Sequence, residues 1–263
     1  MTEKEYRDSA GISRSELWLL HTNPEKFKYY KEHPEPSTPT LMFGAAVHKL
    51  LLEPETFDKE FVVMPHFDRR TKAGKEAYNK FTAISEGRNI ITIDDYQKAA
   101  EMAQTALKEY HVQTLLSGER EKPFMWIDDS TGELCKIRVD AVLGKSSPLM
   151  VIDYKTTNDA SMDAFLKSVL NYGYDFQAGM YCEGVAQNMG EFPMFIFIAQ
   201  EKNPPYSVNI MRLDDDFLAR GHKIFRRLLD EYHYCKESGD WYGYLGKDGG
   251  NIKTLSLPAW AKI

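Results

Sequence analysis

Cysteine is scarce in this chain of 263 residues, and the three present, Cys135, Cys182 and Cys235, are widely separated. A set that is odd in number and scattered builds neither a disulfide framework nor the paired spacing of a thiolate metal centre, so these read as ordinary reduced thiols. Long apolar runs are missing as well. The longest, around FPMFIFIA, is far too short to span a bilayer, and MTEKEYRDSAG at the N-terminus has no apolar leader segment. The expectation is a cytoplasmic protein without a membrane partner. Positive charge is not in excess either. The formal net charge is −6, so any contact with a polyanion must use a local basic surface. Clusters at Lys26, Lys28 and Lys31, at Arg69, Arg70, Lys72 and Lys75, and at Lys223, Arg226 and Arg227 could supply one, although each by itself reads first as a solvated face. There is no internal repeat, no low-complexity tract and no Walker-type glycine-rich loop, which argues against an attached motor.

What is present is the composition of a folded protein. Hydrophobic residues make up 43% and charged residues 27%, values near the soluble average, so the chain is expected to bury a substantial core as one unit over 1–263. Within it, 1–117 reads as a mainly helical N-terminal part, 118–212 as a sheet-bearing core and 213–263 as a C-terminal helix and tail. SRSELWLLHTNPEKFKYYKEH opens with a capping box, Ser13 and Glu16, and Pro24 divides it into two helices. HPEPSTPT forces a loop, and LMFGAAVHKLLLEP follows as a helix. Two further helical patterns begin at N-cap candidates Thr71 and Asp94.

The pattern changes after residue 118. EKPFMWIDD, ELCKIRVDAVLG and LMVIDYKTT read as three successive strands. Two helices follow in DAFLKSVL and YDFQAGMYCEGVAQNM, then strands in FPMFIFIAQ and YSVNIMRL, and a long helix from Asp214 to about Lys236. The order predicts an α/β fold, a central mixed sheet flanked by helices. The aromatic-rich tail from Trp241 is expected to wrap the surface.

The strand VIDYKTT poses a chemical question. Residues two apart share a face of a strand, so Asp153 and Lys155 point the same way. Such a pair is often a plain ion pair. Here, however, Asp140 lies near the end of the preceding strand, and twelve residues separate it from Asp153, enough for a short antiparallel connection. Two carboxylates brought together repel unless a cation lies between them. A hard divalent ion such as Mg²⁺ meets that need, and an ammonium at Lys155 could orient an attacking water or offset charge on a phosphate.

RVDAV followed by VIDYKTT resembles the core of the PD-(D/E)xK nuclease superfamily, with its restriction-endonuclease-like fold. Asp140 stands in the first acidic slot and Asp153 with Lys155 in the second, while Val139 replaces the proline of the family name. GAAVH, residues 44–48, resembles the GxxxH helix of the RecB-like branch, and QAGMY, residues 177–181, its QxxxY helix. Gln177 and Tyr181, four apart, share one helical face. ISRSEL near the start resembles a segment that holds the DNA 5′-phosphate in phage and prophage recombination exonucleases of the RecE-like and lambda-exonuclease-like kind. Ser13 as a plain helix cap, with Arg14 and Ser15 merely exposed, is an equal reading of that segment.

The resemblance implies a metal-dependent deoxyribonuclease, an exonuclease that degrades the 5′ strand of linear duplex DNA and leaves 3′ overhangs for a single-strand-annealing protein. It implies His48, Asp140, Asp153 and the main-chain carbonyl of Tyr154 around Mg²⁺, or Mn²⁺, with Glu121 on the preceding strand as a further acidic ligand. Lys155 would assist the nucleophile, Gln177 and Tyr181 would brace the site or hold DNA, and Arg14 and Ser15 would contact the 5′-phosphate. Relatives act on double-stranded DNA ends as trimeric or tetrameric homo-oligomer rings in the cytoplasm of a bacterial host. A RecB- or Cas4-like single-strand nuclease and a non-catalytic DNA-end binder on the same scaffold are the alternatives. Many Cas4-like enzymes hold an iron–sulfur cluster on four cysteines, which three scattered cysteines do not supply.

Overall fold

A computed structural model describes residues 3–85, 87–144, 148–246, 250 and 252–258, with the side chains of residues 3 and 4 left aside. Residues 145–147, between the second and third expected strands, and the last residues of the tail, 259–263, lie outside the described residues. The N-terminal part is mainly helical, but three short strands interrupt it. Helix α1 (Glu3–Asp8) leads into β1 (Ile12–Ser13), α2 (Arg14–Thr22), α3 (Pro24–Glu32) and α4 (Pro39–Leu52). The capping box forms as expected, with Ser13 Oγ accepting from the Glu16 amide and Glu16 Oε2 accepting from the Ser13 amide. Pro24 and Pro39 each occupy the first turn of a helix, where a missing N–H costs nothing.

The next segment holds α5 (Phe57–Glu60), β2 (Phe61–Met64), α6 (Lys72–Ile84), β3 (Asn89–Thr92), α7 (Ile93–Lys108) and α8 (Tyr110–Leu115). Strands β2 and β3 pair in parallel as a small second sheet, which the helical periodicity of the flanking segments concealed. Four-residue strands give too short an alternation to stand out. Thr71 caps α6 as expected, but α7 is capped by Thr92, whose Oγ accepts from the Asp95 amide, and not by Asp94. Asp94 instead lies in the first turn, where its charge favours the helix dipole.

The core then runs β4 (Glu119–Ile127), β5 (Leu134–Leu143), β6 (Met150–Thr157), α9 (Met162–Tyr172), α10 (Tyr174–Met189), β7 (Met194–Glu201), β8 (Val208–Arg212) and α11 (Asp215–Ser238). β4, β5 and β6 are successively antiparallel, β6 and β7 are parallel, and β8 returns antiparallel on β7. The sheet is thus mixed and has helices on both faces. On one face Phe176, Met180 and Val185 of α10 and Phe225 and Leu228 of α11 pack on Ile137, Val151, Phe195 and Phe197. On the other, Val47 and Leu51 of α4 and Met102 and Ala106 of α7 pack around Ile152, Tyr154 and Ile198. All three cysteines are buried, free thiols, as the composition implied. The start of the tail does pack, since Trp241 stacks 5.2 Å from Phe27, whereas 252–258 is exposed.

Two features of the sheet prepare a site. On one edge β5 takes β4; on the other it takes β1 at Cys135 and Lys136 and β6 only from Ala141 to Leu143. β6 runs on beyond Ile152 alongside β7 without β5, so β5 and β6 part at Asp140 and Asp153. The second feature is a slip. Cys135, Ile137 and Val139 face the α10 layer, but Val142, not Ala141, continues that face. β4 changes face at the same level: Phe124 and Trp126 meet the α10 layer, while Arg120 donates to carbonyls of Leu51, Leu52 and Leu116 on the other. The ladder between the two strands is interrupted at Glu121 and Asp140 alone, and Glu121 takes a left-handed φ of 48°.

Candidate active site

A non-glycine residue in the left-handed region costs on the order of 1–3 kcal/mol, and such strain concentrates at functional positions. At Glu121 it turns a carboxylate toward the parting of β5 and β6. There, ligand atoms of His48, Glu121 and Asp140 all lie within 4.8 Å of one another. His48 comes from α4, which packs on the face of the sheet opposite α10. Its Nε2 is 2.8 Å from the Tyr154 carbonyl and its Nδ1 is 3.7 Å from Asp140 Oδ2. Asp140 Oδ2 in turn accepts from the Tyr154 amide at 2.6 Å. The Tyr154 side chain points away into the α4 layer, where its hydroxyl donates to Gln200 Oε1 at 2.5 Å. That anchor fixes the backbone whose amide and carbonyl face the cluster.

Asp153 stands beside this group and outside its tightest set, because its carboxylate is already held. It is 1% exposed; Gln177 Nε2 donates to its Oδ1, and Lys155 Nζ lies 2.5 Å from its Oδ2. The second contact pairs a buried carboxylate oxygen directly with an ammonium. Burial drives the Asp153 carboxyl pKa up, the Lys155 ammonium pulls against that rise, and the charge of Asp140 adds to it. A buried carboxylate kept under this tension is suited to a further cation.

Tyr181 follows Gln177 by one helical turn. Burial pushes its phenol well up, and the charges of Tyr6, Asp153 and Asp140 reinforce the shift, which ties the residue to the same place. Its ring packs 6.4 Å from Phe195. Arg14 opens α2 directly after β1, next to the gap left by the parting strands. Its guanidinium donates to the carbonyls of Tyr172 and Gly173 and stacks over Trp18 and Phe176. Burial lowers its pKa, against the attraction of Tyr181 and Asp153. Ser15 is exposed in the first turn of α2, with its Oγ 3.2 Å from Ser13 Oγ. The Ser13 cap and an exposed Ser15 therefore hold together.

Nine of the ten residues singled out from the sequence are linked to one region, with Ser15 reaching it only as the neighbour of Arg14, and two further neighbours were missed. Arg138 pairs with Glu121 Oε2 at 2.7 Å and with Glu53 Oε2 at 3.2 Å, holding the strained carboxylate in position. Lying two residues before Asp140 on the same strand, it carried a signal that period-2 reasoning could have used. Tyr174, whose ring is 4.9 Å from Lys155 Nζ, had no such signal, because only the α9–α10 turn places it there. Of the basic clusters, the third is partly structural, since Arg226 pairs with Asp128 and Glu183.

The donor set fits a divalent ion on chemical grounds. One imidazole, the carboxylates of Glu121 and Asp140 and the Tyr154 carbonyl are nitrogen and hard oxygen donors without sulfur, a set that a divalent cation can bind.

A family model described as a PDDEXK-like domain of unknown function (DUF3799) matches residues 13–248. Among solved structures, that of a proposed exonuclease from Eubacterium rectale aligns with 98% of this chain and 96% of its own at 15% identity, with a TM-score of 0.66, which is a likeness of fold. A second, SSO0001, covers 71% of this chain and 85% of its own at 16% identity, but its TM-score of 0.32 carries no weight. No curated protein matches.

Proposed function

The chain belongs to the PDDEXK-like family matched over residues 13–248, and from that premise we propose that it is a metal-dependent nuclease, specifically an exonuclease that degrades the 5′ strand of linear duplex DNA. The observation that carries this reading is the meeting, at the parting of β5 and β6, of Asp140, Glu121 and His48 with the buried Asp153–Lys155 pair. The left-handed turn at Glu121 sets its carboxylate beside His48 and Asp140, which a lone Asp153–Lys155 ion pair would not require.

His48, Glu121, Asp140, the Tyr154 carbonyl and Asp153 would hold one or two divalent ions, Mg²⁺ in the first instance. Such an ion supplies a water of lowered pKa and a positive charge beside the phosphate. Lys155, kept in place by Asp153 and by the face of Tyr174, would direct N–H donors at the attacking water and at charge gathering on the phosphate oxygens. Gln177 fixes the orientation of the Asp153 carboxylate through its amide. Tyr181 would line the wall against which the DNA backbone rests. The exposed Ser15 hydroxyl, next to Arg14 at the start of α2, would meet a terminal 5′-phosphate, with Arg14 adding positive potential beside it.

Residues 1–263 would act as one nuclease unit in the cytoplasm of a bacterial host, as a homo-oligomeric ring around duplex ends that feeds an annealing partner. Among the described residues no helix is long and apolar enough to cross a membrane. The test is digestion of linear duplex, labelled at the 5′ or the 3′ end, with and without 5′-phosphate, in Mg²⁺ or EDTA, with sizing of the protein alongside. Metal-dependent release of mononucleotides from the 5′ end is expected. Retention of intact DNA in Mg²⁺ would sink the reading and leave a DNA-end binder, whereas an Asp153→Ala variant as fast as the wild type would overturn the assignment of the site.

A further inference from the structure

The last residue of α9 carries a large ring that the protein leaves uncovered and that the chemistry above does not use. Tyr172 is 58% exposed. Its position is nevertheless fixed. Arg14 Nη2 donates to the carbonyl of Tyr172 at 2.5 Å and of Gly173 at 3.1 Å, and Gly173 makes the turn with a φ of 62°, a conformation that glycine adopts without penalty. The turn is thereby tied to the start of α2. The Tyr172 ring lies 5.7 Å from that of Tyr174, and the Tyr174 ring lies 4.9 Å from Lys155 Nζ. An ammonium, a half-buried ring and an exposed ring are thus successive neighbours from the site toward the surface.

A single exposed tyrosine is common and by itself means nothing. This one differs because it lies within reach of a strand whose phosphate is held at Lys155. A stacked strand advances about 3.4 Å per nucleotide, so the two steps of 4.9 and 5.7 Å place the ring no more than about three nucleotides from that phosphate. An exposed ring on an anchored turn at that range can meet bases, which all present a π-face.

We propose that Tyr172 is a stacking platform for a nucleobase of the strand being cut, one within about three nucleotides of the scissile phosphate. The assignment rests on the nuclease reading and deepens it by naming what holds the substrate's bases. It makes Tyr172 a binding residue that is tolerant of sequence. It also gives the half-buried Arg14 a second task, that of holding the Tyr172–Gly173 turn.

The experiment uses the full-length protein and oligonucleotide duplexes carrying 2-aminopurine at successive positions from the 5′ end. In the Asp153→Asn background, which leaves the DNA intact, binding should change the fluorescence at one of the first three positions. Tyr172→Ala should abolish that change and Tyr172→Phe should keep it. In the cleaving protein, Tyr172→Ala should raise KM about 5- to 150-fold with kcat near that of the wild type, the span expected of one base–aromatic stack. An abasic nucleotide at the responsive position should erase the difference between wild type and Tyr172→Ala. If the wild type cleaves while Tyr172→Ala keeps its KM and its fluorescence response, the stacking assignment alone is overturned. If the wild type cleaves no DNA in Mg²⁺, the nuclease reading fails and the assignment falls with it.

Discussion

Asp153 is the residue whose environment is most at odds with its charge. Its carboxyl is buried, its folded pKa is raised by that burial, and Lys155 offsets only part of the cost. The sign of the linkage follows directly. A folded pKa above the unfolded value means that the ionised group lowers stability once pH exceeds the ordinary carboxylate range. Asp153→Asn keeps an acceptor for Gln177 and removes the buried charge. It should melt at or above the wild-type temperature at pH 7 in the absence of divalent ions, and the gap should close as the pH falls into the carboxylate range. The same variant should lose at least about a hundredfold in DNA cleavage. A variant that melts well below the wild type in calorimetry would show that Asp153 is structural. Glu121 is the complementary case, since its strained backbone and its clasp by Arg138 present a carboxylate to Asp140. Glu121→Gln should weaken metal activation of cleavage while leaving the fold intact, read as a rise in the Mg²⁺ concentration needed for half-maximal rate.

Among the elements, α10 has the least freedom. It carries Gln177 to Asp153, and it can do so because its backbone touches that of α11 through two glycines. A Cβ on Gly221 would lie 1.8 Å from the Asp175 carbonyl oxygen, and one on Gly179 would lie 2.3 Å from the His222 amide nitrogen. In both cases the obstacle is backbone, which cannot rotate aside. Gly221→Ala and Gly179→Ala should each cost about 2–3 kcal/mol in denaturant melts. Gly179→Ala should lower cleavage beyond what its stability loss explains, since Gln177 lies half a turn away. Equal stability of the two variants and the wild type would mean that α10 can move outward freely. The strands make the same point at lower resolution in the chain: the slip at Glu121 and Asp140 is a property of two paired strands, and neither strand has it alone.

Taken whole, the molecule binds its C-terminal helix to the catalytic sheet by buried charge. Arg226 of α11 pairs with Asp128 just past β4, and His233 and Lys236 pair with Glu133 ahead of β5. Burial would raise the Asp128 carboxyl, but the hydrogen bonds of Arg226 and Thr131 outweigh it and bring it from 3.8 to about 2. A depressed carboxylate contributes stability that is fully present above the unfolded value and is lost as pH falls through the folded one. The pair should therefore contribute about 1–2 kcal/mol at neutral pH, after allowance for solvent screening, and lose it between about pH 4 and pH 2. Asp128→Asn should unfold at higher pH than the wild type in an acid titration followed by circular dichroism. A second expectation at this scale concerns metal. Ligands from α4, β4, β5 and β6 meet at one place, so divalent ions should raise the melting temperature by linking both halves of the chain. EDTA should reverse the rise, and Asp140→Asn should abolish it.

The sequence alone determined the chemistry and most of the frame. Strand alternation put Asp153 and Lys155 on one face, helical spacing put Gln177 and Tyr181 on another, and the capping box at Ser13 and the proline at 24 set helix starts, because each of these signals is local, whereas Pro39, read as part of the loop before Leu41, opens α4. The helix cap at Thr92 in place of Asp94 and the short pair β2 and β3 escaped, because a few residues carry too little pattern to outweigh their helical surroundings. What only the tertiary structure decided were relations between segments far apart in the chain. These are the parting of β5 from β6, the left-handed turn at Glu121 that faces it toward Asp140, the arrival of His48 from α4, and the placing of Arg138, Tyr172 and Tyr174 around Lys155. Each of these is a long-range packing outcome, and side chains brought together across a core leave no period in the sequence of either partner.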